Sequence, residues 1–392
     1  MYCSTALSPG GELTWFRRTI AALDQTTFEP WICSIRTPKA SDAELRSLGA
    51  PVFSLGVDSP YNVMLGAWRL RRFVREHNAD LIHMSLFGSE ITPFLGALLG
   101  RTPLLATVNT TMDPYVVGRA SRSRKTQWTL RAARCVQSLL ARLTSTHFVA
   151  LSESVAKSTK TFLRASDSNV TVVNIGLDMA ECSPVVSGGR PLREQLGIGD
   201  RAPVLINVAR LSHAKDQEQA ILAMPKVAAR YPEALLLVVG DGPLRQHLES
   251  MAERVGMERH VMFLGRRNDV LELLQMSDVF VFTSRYEGQP HAVIEAMAAG
   301  RPVVSYDIPA TAELVEHGRS GFLVAERDPG SFANAVIEVL DDPEMAHRMG
   351  QRGREVVLAR FDIAKNTRRL EDVYSRVLGR PREHPAMPAG AP

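Results

Sequence analysis

Short apolar runs alternating with segments of helical spacing dominate the second half of the chain. Pro203–Ala209 (PVLINVA), Ala234–Val239, His260–Leu264, Val279–Thr283 (VFVFT) and Pro302–Ser305 have the length and apolarity of buried parallel strands. Between them, Asp216–Arg230, Pro243–Val255, Val270–Gln275 and His291–Ala299 read as helices, and Gly300 stands where a helix stop is expected. The first half repeats the alternation less regularly. Its strands are expected near Tyr2–Ala6, Trp31–Ile35, Leu81–Met84, Leu104–Val108, His147–Leu151 and Val170–Val173. Its helices are expected near Glu12–Leu23, Leu65–His77, Thr92–Leu99, Arg122–Leu143 and Glu153–Phe162. Such alternation predicts parallel βαβ units with helices on both sheet faces. A stretch rich in Gly, Pro and Ser at Pro184–Arg201 separates the halves.

The expected fold class is therefore α/β, with two Rossmann-like, doubly wound parallel-sheet domains facing a cleft. The expected boundaries are 1–185 for the N-terminal domain and 200–360 for the C-terminal one, then a helix over 361–379 and a disordered tail over 380–392. Open α/β sheets bind ligands at the carboxyl ends of their strands, which makes the cleft the expected site.

Composition narrows the class. The 392 residues are 45% hydrophobic and 22% charged, as in an ordinary globular protein of two or three domains. No apolar run approaches the roughly 18 residues of a membrane span. The start, MYCSTALSPGG, has neither the basic nor the apolar region of a secretory signal. Cys3, Cys33, Cys135 and Cys182 are scattered, which argues against a zinc site or disulfide framework and fits a reducing compartment. The net charge of +4 conceals +6 on residues 1–185 and −2 on the rest, so the N-terminal half is the one expected to meet an anionic partner.

Four constellations carry candidate chemistry. Arg210 and Lys215 share one strand-to-helix loop, where a bidentate fork and a movable point charge reach a single diphosphate. Taken alone, such a pair reads more readily as two solvated loop cations. Glu287 and Glu295 bracket the start of a helix. Gly288 permits close backbone approach there, Pro290 suits a helix start, and the amides around Gly288–His291 can bind an anion. Gly240-Asp241-Gly242 is a tight turn that lets the backbone near a ligand. Gly10–Gly11 opens the first helix, either as punctuation or as a source of amides for phosphate.

The segments VARLSHAKDQ, VVGDGPL, FLGRRNDV, SDVFVFTSRYEGQPHAVIEAMAAGRPVV and AELVEHGRSGFLV resemble the retaining GT-B glycosyltransferases of glycosyltransferase family 4. Weaker echoes are PGGE (9–12), ADLIHMS (79–85), FVALSESV (148–155) and NIGLD (174–178). The resemblance implies a GT-B fold. It implies that Arg210 and Lys215 bind the donor diphosphate, that Glu295 holds the ribose and that Glu287 contacts the donor sugar. Gly288, Gln289 and Pro290 would line the sugar and phosphate pocket, Gly11 would face the donor, and Arg266 lies in the segment expected to meet the nucleobase. Where family members often carry a His after the strand matching LLATV, this chain has Asn109. His83 matches a cleft-side position and reads equally as a core imidazole.

The implied reaction is retaining transfer of a sugar from a nucleoside-diphosphate donor to a glycan or lipid-linked acceptor. Departure of the diphosphate develops negative charge that fixed cations and dipoles must neutralise. The chain contains no Asp-x-Asp pair, so neither a metal nor a bound cofactor is expected, and the nucleotide sugar enters as substrate. Front-face substitution is preferred over a covalent sugar on Glu287. The alternatives are a GT-B-fold nucleotide-sugar epimerase and a non-catalytic sugar-nucleotide-binding protein.

From Pro114 to Ser152 there is no acid but seven cations, interleaved with Trp128, Leu130, Val136, Leu139 and Leu140. This stretch reads either as an amphipathic contact with an anionic membrane surface or as a surface helix with solvated Arg outward. No recognition module for nucleic acid accompanies it. The expected location is the cytoplasm, with peripheral attachment to the cytoplasmic face of a membrane as the alternative.

Overall fold

The computed structural model describes residues 1–7, 11–59, 61–86, 90–111, 124–178, 190–325 and 327–380. Pro9 and Gly10, residues 112–123, the first six residues of the predicted inter-domain stretch (184–189) and the tail beyond 380 lie outside them. The chain divides into two compact units. The described part of the first comprises residues 1–111, 124–176 and 363–380; that of the second is 177–362.

The first unit holds a seven-stranded sheet: β1 (Tyr2–Ser4), β2 (Ile32–Ser34), β3 (Val52–Ser54), β4 (Ile82–Leu86), β5 (Leu104–Val108), β6 (His147–Ala150) and β7 (Val170–Val172). The second holds β8 (Val204–Val208), β9 (Leu235–Val239), β10 (Val261–Gly265), β11 (Val279–Phe282), β12 (Val303–Tyr306) and β13 (Gly321–Val324). The strand orders are β3-β2-β1-β4-β5-β6-β7 and β10-β9-β8-β11-β12-β13, and every pairing is parallel. The direction of winding reverses between β1 and β4 in one sheet and between β8 and β11 in the other. These are the switch points where open α/β sheets form their binding crevices.

Each sheet is buried on both faces. In the first unit, Leu70, Phe94 and Phe148 belong to one apolar cluster, and Phe16, Ile20, Leu370 and Tyr374 to the opposite one. Strand alternation assigns the side chains: Ile82, Met84 and Leu86 enter the first cluster, while His83 turns toward the second. The second unit repeats the plan, with Val204 and Phe280 on one side and Leu205 and Val281 on the other. Burial of each large aliphatic or aromatic side chain contributes about 1.5–3 kcal/mol.

The helix expected over 361–379 runs Ile363–Val377 and belongs to the first unit. Its Leu370, Val373 and Tyr374 pack with Leu13 and Phe16 of the helix Gly11–Ala22, and Glu371 Oε1 accepts from the Asp24 amide at 2.7 Å. Strands β3 and β13 and the helices Pro329–Asp341 and Pro343–Arg360 stand outside the elements expected from the apolar pattern.

Candidate functional site

In the second unit the cation-bearing loop leaves the carboxyl end of β8 and enters the helix Gln217–Arg230. The Ala209 amide donates to the Val239 carbonyl at 3.0 Å, Leu211 to Asp241 at 3.1 Å, and Leu244 back to Leu211 at 3.2 Å. The two glycines of Gly240-Asp241-Gly242 make this packing geometrically feasible. Gly240 has φ +126°, and a Cβ there would lie 2.1 Å from the Ala209 carbonyl oxygen; one on Gly242 would lie 2.3 Å from that of Leu211. The turn therefore makes room for the Arg210 loop.

Arg210 is exposed on this loop, and its guanidinium has no ion pair among the described residues. Its carbonyl accepts from Gln217 Nε2 at 3.0 Å. Lys215 turns inward, and its Nζ pairs directly with Glu287 Oε1. The Lys215 carbonyl accepts from Thr283 Oγ1 at 2.9 Å, and the Arg285 amide donates to the Ala214 carbonyl at 2.8 Å. These bonds stitch the loop after β8 to the loop after β11, across the switch point of the sheet.

Asp216 fixes the same junction. It ends the cation loop in the left-handed region (φ +48°) and is only 3% exposed. Its carboxylate accepts from Arg285 at 3.1 Å and from Arg327. Arg327 also donates to the Thr283 carbonyl at 3.2 Å and stacks 4.8 Å above the Tyr306 ring. Sequence spacing marked Asp216 only as the first residue of a helix. Its role depends on Arg327, 111 positions away, which no local pattern connects to it.

Gly288, Gln289 and Pro290 are buried between Glu287 and the helix His291–Ala298, with Pro290 as its N-cap. Glu295 lies half-buried one turn into that helix. Arg266 follows β10, two strands from β8, and is exposed without an ion pair among the described residues. Its neighbour Arg267 pairs instead with Asp269 at 2.5 Å. Among the described residues no group of three or more His, Cys, Asp or Glu side chains gathers as metal ligands would.

In the first unit Gly11 opens the helix after β1, and Asn109 follows β5. Asn109 Nδ2 donates to Ser85 Oγ at 2.6 Å, and Ser4 Oγ donates to Glu12 Oε1 at 2.9 Å. Loss of solvent pushes the Glu12 carboxyl up to about 7; bonds from Ser4 and Ser85 oppose the rise, and the charge of Glu90 adds to it. Glu12 and Ser85 lie in the segments PGGE and ADLIHMS, but no sequence pattern joins them to each other or to Ser4, because three separate segments supply them.

Of the two readings of His83, a cleft-side position on the acceptor or sugar side or a core imidazole, the structure has the second: the residue is 2% exposed. Its Nδ1 lies 2.7 Å from the Tyr374 hydroxyl and its Nε2 2.6 Å from Thr107 Oγ1. Tyr2 and Trp15 enclose the ring, with centroids at 5.0 and 5.4 Å. Burial, then the charge of the Met1 amino group, holds its pKa well below the ordinary imidazole value.

Two doubly wound parallel sheets, with the predicted diphosphate loops at a switch point, define a GT-B fold. The family model described as Glycosyltransferase Family 4 matches residues 9–181, and that described as Glycosyl transferases group 1 matches residues 190–356. The chain belongs to this family of group 1, family 4 glycosyltransferases. It is similar to the UDP-Gal:alpha-D-GlcNAc-diphosphoundecaprenol alpha-1,3-galactosyltransferase of Escherichia coli, 26% identical over 312 residues, 78% of this chain and 77% of that protein. The N-acetyl-alpha-D-glucosaminyl L-malate synthase of Bacillus anthracis is 32% identical over 187 residues, 48% of this chain; the match spans about half of that relative, 49%. The crystal structure of Anabaena HepE in complex with UDP-glucose matches with a TM-score of 0.79 at 22% identity, covering 96% of this chain and 100% of that one. No helix of the described residues is long and apolar enough to cross a membrane.

Proposed function

We propose that this chain is a retaining glycosyltransferase that moves a sugar from a nucleoside-diphosphate donor to a hydroxyl of a glycan or lipid-linked acceptor. The observation that carries the proposal is the Lys215–Glu287 pair at the β8/β11 switch point, with Arg210 on the same loop. Family membership, the UDP-glucose complex of the HepE structure and the lipid-linked acceptor in the name of the Escherichia coli relative support it.

Arg210 and Lys215 neutralise the diphosphate as charge develops on it, without a metal. Glu287 holds Lys215 at the site and accepts from hydroxyls of the donor sugar. Glu295 receives the ribose and Arg266 the base, and Gly288, Gln289 and Pro290 close the sugar pocket. In the front-face reaction, the bond from the anomeric carbon to the diphosphate oxygen breaks as the bond to the acceptor oxygen forms on the same face. The acceptor proton passes to the leaving phosphate oxygen.

A cytoplasmic protein seated peripherally on an anionic membrane surface suits a lipid-linked acceptor. In the predicted stretch, the helix Arg124–Leu143 exposes Val136, Leu139 and Leu143. The helix Val63–Glu76 adds a stripe formed by Met64, Leu65 and Trp68, preceded by the 92%-exposed Tyr61 and followed by Arg72, 5.9 Å from the Trp68 ring centre. Co-sedimentation is expected with phosphatidylglycerol vesicles and not with phosphatidylcholine vesicles; equal, negligible recovery with both rejects the membrane assignment.

Thermal shift against a panel of UDP- and GDP-sugars tests the donor, because a ligand that binds only the folded state raises the apparent Tm. Release of nucleoside diphosphate that depends on an added acceptor then tests transfer. Release that is indifferent to every acceptor, or isomerisation of the bound sugar, overturns the proposal.

A further inference from the structure

The first unit carries a polar constellation to which glycosyl transfer from the second unit's loops gives no task. Ser4 ends β1, Ser85 lies near the end of β4 and Asn109 follows β5, three adjacent strands that include the β1/β4 switch point. An acid in the first turn of a helix ordinarily faces water, where the helix dipole favours it. Glu12 instead turns back over the strand ends. Its Oε1 accepts from Ser4 at 2.9 Å, Ser85 also bonds the carboxylate, and Asn109 donates to Ser85 at 2.6 Å. Ser4 and Ser85 are 2% and 3% exposed, so two buried hydroxyls are committed to holding one carboxyl in place. In the second unit the equivalent place, the carboxyl end of the sheet at its switch point, holds the Lys215–Glu287 pair.

A carboxyl that both accepts and donates matches a sugar or polyol hydroxyl, which does the same. With its protonation midpoint at about 7, Glu12 is present in both forms at neutral pH. Glu90 is the charged side chain whose field acts on it, and the Asn109–Ser85 bond extends the network across β5.

We propose that Glu12, held by Ser4 and by the Ser85–Asn109 pair, is a hydroxyl-recognising subsite of the first unit that orients the acceptor sugar. The assignment of this ligand as the acceptor rests on the transfer function above; the hydroxyl-binding site itself does not. Glu12 is a positioning residue: it fixes which hydroxyl is presented.

The test uses the full chain with 13C-labelled glutamate. The Glu12 carboxyl resonance is identified by its loss in Glu12→Gln. The methyl α-glycosides of glucose, galactose, mannose and N-acetylglucosamine, together with myo-inositol, are titrated in as probes. At least one is expected to move the Glu12 resonance to saturation. That ligand is expected to bind Glu12→Gln about tenfold more weakly, as for loss of one hydrogen bond to a charged group. The rise in Tm produced by UDP is expected to be the same in both proteins. If no probe moves the resonance, or if the best probe binds both proteins equally, the subsite is refuted. Absence of any UDP effect would count against the donor assignment and leave the carboxyl titration as a separate result. Asn109→Ala, which removes the outer end of the network, is the second variant; undiminished affinity there also refutes the subsite.

Discussion

Asp216 and Arg327 form an ion pair that joins the cation loop after β8 to the carbonyl-lined loop after β11. Asp216 is almost wholly buried, and its remaining partner, Arg285, comes from the second of those loops. The position of Lys215 therefore depends on a carboxylate immediately beside it in sequence that has no direct part in the chemistry.

Asp216→Ala leaves two guanidinium groups without their shared anion and places a Cβ-bearing residue without a local hydrogen-bonding group in the left-handed region. The expected loss is about 2–4 kcal/mol of stability in urea denaturation. Activity is expected to fall further than Tm alone accounts for, since Lys215 loses its anchorage. An unchanged denaturation midpoint would show that the pair carries no structural weight.

Arg210→Ala with Lys215→Ala is expected to lower kcat by about 10²–10³-fold or more, the scale for removing preorganised electrostatic stabilisation. Chelators are expected to leave the wild-type rate unchanged. Intact turnover in the double variant, or activity abolished by EDTA and restored by a divalent cation, rejects charge neutralisation by these side chains.

The Glu12 carboxyl gives stability a distinctive pH dependence. Its folded midpoint, about 7, lies above the ordinary 4.5, so between those values the folded protein retains a proton that the unfolded chain has released. The contribution of this group to stability therefore falls as pH rises from about 4.5 to about 7 and stays lowered above that. Glu12→Gln is expected to gain on the order of 2–3 kcal/mol over wild type at about pH 8 and to lose that advantage near pH 4. Parallel profiles for the two proteins would contradict the buried environment.

His83 acts with the opposite slope. Its folded pKa is well below 6.5, so below pH 6.5 the unfolded chain binds a proton that the folded core refuses. Stability is expected to fall as pH drops through that range. His83→Gln keeps hydrogen-bonding capacity toward Thr107 and Tyr374 and removes the titration. Its stability profile should be flatter below pH 6.5 and lower at neutral pH, as read by urea denaturation across pH.

The second unit was readable wherever strands are buried on both faces, because such strands are unbroken apolar runs: VFVFT foretold β11. Strand β3 was not, since Val52–Ser54 is three residues long and partly exposed at the sheet edge. The loop positions of Arg210, Lys215 and Glu287 followed from the strands that precede them. Their interlock through Asp216, Arg327 and Thr283 did not, because partners distant in sequence supply it. His83 illustrates the same limit: alternation on β4 sends it to one face, but only Tyr374, from the last helix, decides that this face is closed core.

That last helix has a consequence for biosynthesis. Ile363–Val377 supplies Leu370, Val373 and Tyr374 to the core beneath β1 and β4, yet a ribosome makes it after the whole of the second unit. The domain begun first thus reaches its finished state last. Until then the nascent polypeptide presents Phe16 and Trp15 without their covering helix, a sticky surface of the kind that chaperones shield.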